Sequence, residues 1–293
     1  MEAIRAHIAL PLSLNVHEAA EAIIRVANAK MGGAIRLISI ERGHDPKQFA
    51  MMPFGGGGAL HAGALMQDIG LSASIVPRYP GVNSALGCIM SDLRHDEVQT
   101  MNTMLTDLDC QQLAERIETM TKASTAVITQ SKANLESIDR IVELDMLYLG
   151  QTHSVAVQIT DDPAPLSHES ILAAFEASYM RSYSRLLTGI PVRILNLRLS
   201  VVGRRPSIDL AILAKGERAA SVADCVLADQ SIFAAGQWHE ARIYDRLRLP
   251  EGAEIPGPAL LVQADATIYV DPGITASVDS YGNIIMTPKG EKT

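Results

Sequence analysis

Four consecutive glycines, Gly55 to Gly58, constrain this chain more than any other feature. They lie in FAMMPFGGGGALHAGALMQDIG over residues 49–70. An apolar run ends at Phe54, and a helix-like segment is predicted from Ala59, with Leu60, Ala64 and Leu65 on one face. Glycines at a strand-to-helix turn let bare backbone approach a ligand where a side chain would block it. The following helix start offers unpaired amides and the positive end of a dipole, which suits a phosphate or a polar heterocycle. The common phosphate fingerprints are absent: no Gly-Lys-Ser/Thr ending follows, and the spacing is not G-x-G-x-x-G. On spacing alone, a tight structural turn and a nucleotide-contacting loop stand level.

The rest of the chain narrows the class. Hydrophobic residues at 47% and charged residues at 20% exclude a disordered chain. A net charge of −8 argues against nucleic acid or an anionic membrane as partner, since both reward clustered Lys and Arg. Cys88, Cys110 and Cys225 are too far apart for a C-x-x-C pair, so neither a disulfide framework nor a zinc ribbon fits. The eight histidines form no H-x-x-x-H or H-E-x-x-H pair, and no metal site is expected. With an early charged N-terminus and no apolar run of spanning length, a cytoplasmic protein is expected.

Along the chain, Asn15 and Glu18 fit a helix cap with its reciprocal acceptor, and Gly32 and Gly33 are expected to loosen the helix that follows. A strand is predicted at residues 73–76, then a turn at Pro77, Pro80 and Gly81. SALGCIM (84–90) reads as a tightly packed helix start, with Cys88 buried and inert. Helix and strand alternate here, as in α/β packing. One long helix is predicted over 107–139, its stripe including Leu113, Ile117, Met120, Val127, Ile128 and Leu135. Strands are predicted at 141–149, 154–160 and 192–202, with a helix from Ser167 to about Tyr183, giving an α+β region with an antiparallel sheet. After Pro206, frequent Gly and Pro turns predict an all-β domain with Trp238 as its core anchor. The fold class is thus α/β and α+β, multi-domain, with blocks at 1–105, 106–206 and 207–293.

Four segments together resemble the hydantoinase A and 5-oxoprolinase family. They are IRLISIERGHDPKQFAMMPFGGGG (35–58), continuing through Ala59-Leu60-His61-Ala62; IVPRYPGVNSALGCIMSDLRHD (75–96); DMLYLGQTHSV (145–155); and residues 257–285 with GPALLVQADATIYVDPG and VDSYGNII. That family includes subunits of ATP-dependent lactam hydrolases and of acetone- or acetophenone-type carboxylases. Its nucleotide domain is similar to the actin, Hsp70 and sugar-kinase ATPases, in which two lobes close over ATP. The resemblance implies that Gly55, Gly56, Gly57, Gly58, Ala59, Leu60 and His61 form the adenosine-side motif. Asn83, Ser84, Ala85 and Gly87 would belong to the connecting helix that closes the lobe. Family members normally begin upstream with an Asp-x-Gly-Gly-Thr-type phosphate turn, and nothing of that form occurs here. A fragment or one half of a split protein is therefore expected. Its ATP and magnesium would be held mostly by residues upstream, and its partner would be the missing N-terminal lobe or a hydantoinase B-like subunit in an oligomer.

The chemistry implied is phosphorylation of a cyclic amide at its oxygen, which makes the ring carbon electrophilic; positioning and electrostatics then supply the catalysis. The catalytic residues are not fixed by the sequence. Weak candidates are His44 and Asp45 in the Gly-His-Asp-Pro turn, and Gln151 and His153, which alternate onto one face after Gly150. Against these stand an Asp45 that accepts backbone hydrogen bonds in a turn, and a structural network around Gln151. His61 reads as packing near the helix start, and Asp92 to Asp96 as a solvated helix end. The leading function is part of an ATP-dependent cyclic-amide hydrolase. The alternatives are a carboxylase subunit and a non-catalytic assembly module.

Overall fold

The computed structural model describes residues 1–40, 43–160 and 165–290. They fall into two compact units, one joining Met1–Ile89 to Asp209–Thr293 and the other formed by Met90–Ile208. This grouping differs from three consecutive blocks, because strands from the two ends of the chain share one sheet.

In the first unit the helix Val16–Ile40 is capped as its sequence suggests. Asn15 Oδ1 accepts from the Glu18 amide at 2.9 Å, and Glu18 Oε2 accepts from the Asn15 amide at 2.9 Å. The helix runs unbroken past Gly32 and Gly33. Gly32 serves packing instead: a Cβ there would lie 2.9 Å from Asp68 Oδ2 on the helix Ala62–Ile69. Across the same interface Arg36 donates to the Asp68 carbonyl at 2.6 Å. The helix after the glycines begins at Ala62 rather than Ala59, following a 3-10 turn at Gly58–Leu60, and Leu60 is exposed.

Two sheets complete this unit. One runs in the order Ala50–Met51, Ala73–Val76, Ile284–Pro288, Ile274–Val278, Glu254–Pro256, with its first pair parallel and the rest antiparallel. The other has the order Ala266–Val270, Ala259–Gln263, Gln237–Asp245, Val226–Ala234. The residues after Pro206 therefore do form short strands between glycine turns, but as parts of a mixed unit rather than an all-β domain. Ala266–Val270 and Ile274–Val278 bury every second residue. Ile268, Ile274, Ile284 and Met286 pack with Leu65, Met66 and Ile69 in one core. Trp238 is not a core anchor. It is 57% exposed, against the rings of His17 at 4.9 Å and Phe233 at 5.6 Å. The helix Asn83–Met90 is also not tightly packed: none of its residues is buried, and Cys88 is exposed.

The second unit is an antiparallel sheet in the order Leu93–Met104, Val192–Arg204, Ser137–Tyr148, Val155–Ile159. Two helices, Cys110–Gln130 and His168–Tyr183, supply Leu113, Ile117, Met120, Ile171, Phe175 and Tyr179 to a core with Leu144, Ile194, Leu197 and Leu199. The predicted long helix is shorter than 107–139. Asp109 caps it by accepting from the Gln112 amide at 3.0 Å, and Ser137 already opens a strand. Val127 is exposed, and Leu135 packs on the core from the connecting loop.

The segment expected as a helix end is the strand Leu93–Met104. Asp96 accepts from Arg94 and Ser200 there, and the Ser200 hydroxyl leads in holding its carboxyl below the usual range. Its central positions, His95, Glu97 and Gln99, carry no apolar alternation, so only pairing with Val192–Arg204 identifies it.

Glycine substitutions separate packing from propensity. A Gly63 Cβ would lie 2.0 Å from Asp271 Oδ2 and 2.6 Å from Ile274 Cδ1, so Gly63→Ala should lower unfolding free energy by about 1–3 kcal/mol. Gly33 is exposed, with nothing among the described residues within 4 Å of a Cβ. Gly33→Ala should raise stability by about 0.5–1 kcal/mol. Urea denaturation of both variants measures the contrast.

Candidate functional site

The glycine loop is built by unequal contributions from its four members. Gly55 has φ +86°, a left-handed conformation that favours glycine, and its amide donates to the Pro80 carbonyl at 2.7 Å. Gly56 is confined, since a Cβ would meet the Asp265 carbonyl oxygen at 3.4 Å. Gly57 has φ −105°, open to any residue, and nothing among the described residues lies within 4 Å of its Cβ position. Gly58 meets only Pro53, at an ordinary 3.8 Å. Gly56 and Gly57 are exposed and Gly58 is half-buried. Ala59 and Ala62 are fully buried beneath, and His61 Nδ1 lies 2.7 Å from Asn28 Oδ1 on the helix Val16–Ile40. His61 thus packs the helix start, as read from the sequence.

The turn that carries the loop is set from far away in the chain. Arg246 is 3% exposed. Its guanidinium donates to the carbonyls of Pro77 and Arg78, to Val76 O at 3.2 Å, and to Gln263 Oε1. Gln263 in turn donates to Asp265, whose Oδ2 accepts from the Gly81 amide at 2.9 Å. Gly81 is required, because a Cβ would lie 2.5 Å from that same oxygen. Burial, and then the nearby Arg78 charge, pull the Arg246 pKa down to about 10, so it stays charged at neutral pH. This chain of contacts brings Pro80 under Gly55 and fixes the start of the helix bearing Asn83, Ser84 and Gly87. Ser84 and Gly87 face solvent. Sequence reading missed Arg246, Gln263 and Asp265, since no local pattern marks them.

A fourth missed residue, Asp271, packs against the start of the helix that follows the loop. Its carboxyl packs against Gly63 and accepts from the Ala64 amide in the first turn of Ala62–Ile69. Burial outweighs these hydrogen bonds and pushes its pKa up to about 6.

The weak catalytic candidates divide between the two units. His44 and Asp45 lie in the first unit, Gln151 and His153 in the second. Asp45 Oδ1 accepts from the Lys47 amide at 3.1 Å, and the His44 ring meets Phe49 at 5.6 Å, edge-on. Gly150 has φ +93° at the turn before Gln151, whose Nε2 donates to the Tyr179 hydroxyl at 2.7 Å. Tyr179 meets Tyr148 edge-to-face at 4.8 Å within the core. His153 pairs with Thr152 at 2.9 Å on the surface. Among the described residues no group of three or more His, Cys, Asp or Glu is placed to hold a metal ion. No helix among them is long and apolar enough to cross a membrane.

A mixed α/β chain of several sheets, with a bare glycine turn at a helix start, is the class these observations define. The sequence matches the hydantoinase/oxoprolinase family model over residues 1–97, and the hydantoinase/oxoprolinase C-terminal domain model over 102–286. The chain belongs to the hydantoinase/oxoprolinase family. It is 30% identical to the caprolactamase subunit alpha of Pseudomonas jessenii, over 98% of this chain and 42% of that one. The acetone carboxylase beta subunit of Xanthobacter autotrophicus is 26% identical, with 93% and 39% covered. The crystal structure of the ATP-dependent caprolactamase from Pseudomonas jessenii superposes with a TM-score of 0.74 at 28% identity, over 98% of this chain and 42% of that one. The chain thus spans about two fifths of the length of these relatives.

Two buried charges yield opposite expectations. Removing Arg246 leaves three carbonyl oxygens and Gln263 without their donor, so Arg246→Met should cost on the order of 3 kcal/mol in thermal denaturation. For Asp271 the folded pKa lies above the ordinary value of 3.8. Its ionisation therefore opposes folding, and stability is lost as pH rises from about 4 through 6. Asp271→Asn should stabilise by on the order of 2 kcal/mol at pH 7 and by little at pH 3.5, read from melting temperatures across that range.

Proposed function

We propose that this chain is the C-terminal part, or one half of a split form, of an ATP-dependent enzyme that opens a cyclic amide. Gly55 to Gly58 would form the adenosine-side wall of its nucleotide site. The single observation that carries this reading is Gly57. Its backbone angles suit any side chain, and nothing among the described residues lies within 4 Å of its Cβ position, so packing among them does not require glycine there. Close approach by another molecule supplies the reason that packing does not. Likeness to the caprolactamase subunit over nearly the whole chain supports the substrate class.

In this reading the exposed main chain at Gly56 and Gly57 lies against the nucleoside. Asn83, Ser84 and Gly87 line the approach from the second helix. ATP, when bound, supplies the phosphoryl group that turns the amide oxygen into a leaving group. Magnesium and most phosphate contacts would come from residues beyond this chain. A missing lobe or partner subunit would cover exposed apolar side chains such as Phe54, Leu60 and Val82. His44, Asp45, Gln151 and His153 remain candidates for substrate contact.

The second reading is a carboxylase subunit, favoured by the match to the acetone carboxylase beta subunit. A requirement for bicarbonate and a carboxylated product in the assembled enzyme separates it from the first.

Gly57→Val tests the wall directly. The variant should fold with an unchanged melting temperature, while ADP affinity, measured by calorimetry on the chain with its complementing segment, drops at least about tenfold. Unchanged affinity in a folded variant would remove the glycine loop from the site.

A further inference from the structure

Arg78 is a buried cation without a counterion. It is 6% exposed, and among the described residues no carboxylate lies within ion-pair distance of its guanidinium. Its Nε reaches only the Tyr79 hydroxyl, at 3.5 Å, and neither terminal nitrogen donates a hydrogen bond among those residues. The acids whose charges are felt beside it are already engaged. Asp265 accepts from the Gly81 amide and from Gln263, and Asp279 accepts from the Asn283 amide at 2.7 Å and its side chain at 2.8 Å. Burying a charge unpaired is costly. The cost is compounded here, because the Arg78 charge also bears on the buried Arg246 and disfavours its protonated form.

The guanidinium is open on one side. Nη1 lies over Gly282, which is buried and has no room for a Cβ. Nη2 lies beside Gly216, which is exposed and whose Cβ would be 3.2 Å away. The sealed, unsatisfied side-chain atoms include Arg246 Nε but neither terminal nitrogen of Arg78, so these keep an opening to solvent. Near the glycine loop, the Cβ positions of Gly56 and Gly58 meet Asp265 and Pro53, not Arg78. We propose that Arg78, at its Gly216 side, binds a small soluble oxyanion, a phosphate or a carboxylate, at a site separate from the glycine loop. The Nη2 donors make charge-assisted hydrogen bonds to it. Neutralising Arg78 also relieves its repulsion of Arg246, whose donors hold the carbonyls of Val76, Pro77 and Arg78. The anion therefore stabilises the folded first unit.

Melting of the 293-residue chain in phosphate and, separately, in acetate, against chloride at matched ionic strength, tests this. At tenfold excess over half-saturation, one of the two should raise the melting temperature by about 2–4 °C, and the rise should saturate. Arg78→Met should lose the saturable rise and keep only the unsaturable effect such salts have on any folded chain. In chloride alone Arg78→Met should melt no lower than the wild type, because it removes an unpaired buried charge. Arg78→Lys, which keeps the charge but not the fork, should respond with affinity about three- to tenfold weaker. No saturable rise with either anion, or an equal rise in Arg78→Met, overturns the proposal. So does an Arg78→Met chain that melts well below the wild type in chloride, since the guanidinium would then already be satisfied. A rise abolished by saturating ADP would give the anion to the nucleotide site and overturn it too.

Discussion

The buried guanidinium of Arg246 is the contact on which the rest of the glycine-loop geometry depends. A chain leaving the end of a strand carries carbonyl oxygens that no neighbouring strand satisfies, and burying them unpaired is costly. Arg246 takes those of Val76, Pro77 and Arg78 at once, and reaches Gly81 through Gln263 and Asp265. The turn so fixed presents the Pro80 carbonyl to Gly55. One cation, contributed late in the chain, therefore holds a loop contributed early.

Glycine does different physical work at neighbouring positions. Gly55 supplies a left-handed backbone, and Gly63 and Gly81 make room for the carboxylates of Asp271 and Asp265. Gly57 meets none of these demands among the described residues, and neither does Gly33 within its helix. Carboxylates divide similarly. Asp145 is penalised by burial, yet Arg198 and Asn196 outweigh that penalty and hold its carboxyl below the usual range. Asp271, with backbone amides but no cation, is pushed the other way.

The family relationship and the site inform different questions. Membership in the hydantoinase/oxoprolinase family accounts for a fold shared with a caprolactamase crystal structure. It does not say which surfaces of this chain meet a ligand. Exposure and backbone angles around the glycine loop of the first unit bear on that question.

Local physics was legible in the residues. Asn15 and Glu18 announced a cap, Ser167 a helix start, and VAVQI a half-buried strand, because caps and two-residue alternation act over a few positions. The glycine run announced the candidate site for the same reason. Pairing partners were not legible: Ala73–Val76 lies beside Ile284–Pro288, and Leu93–Met104 is a strand only because Val192–Arg204 pairs with it. The exposure of Trp238 and Cys88 likewise follows from what packs over them, not from residue type. Residue order alone marks where the backbone can turn and which stretches have an apolar face. Packing alone settles what Arg246 and Asp271 do, because burial and hydrogen bonding depend on neighbours that chain order does not specify.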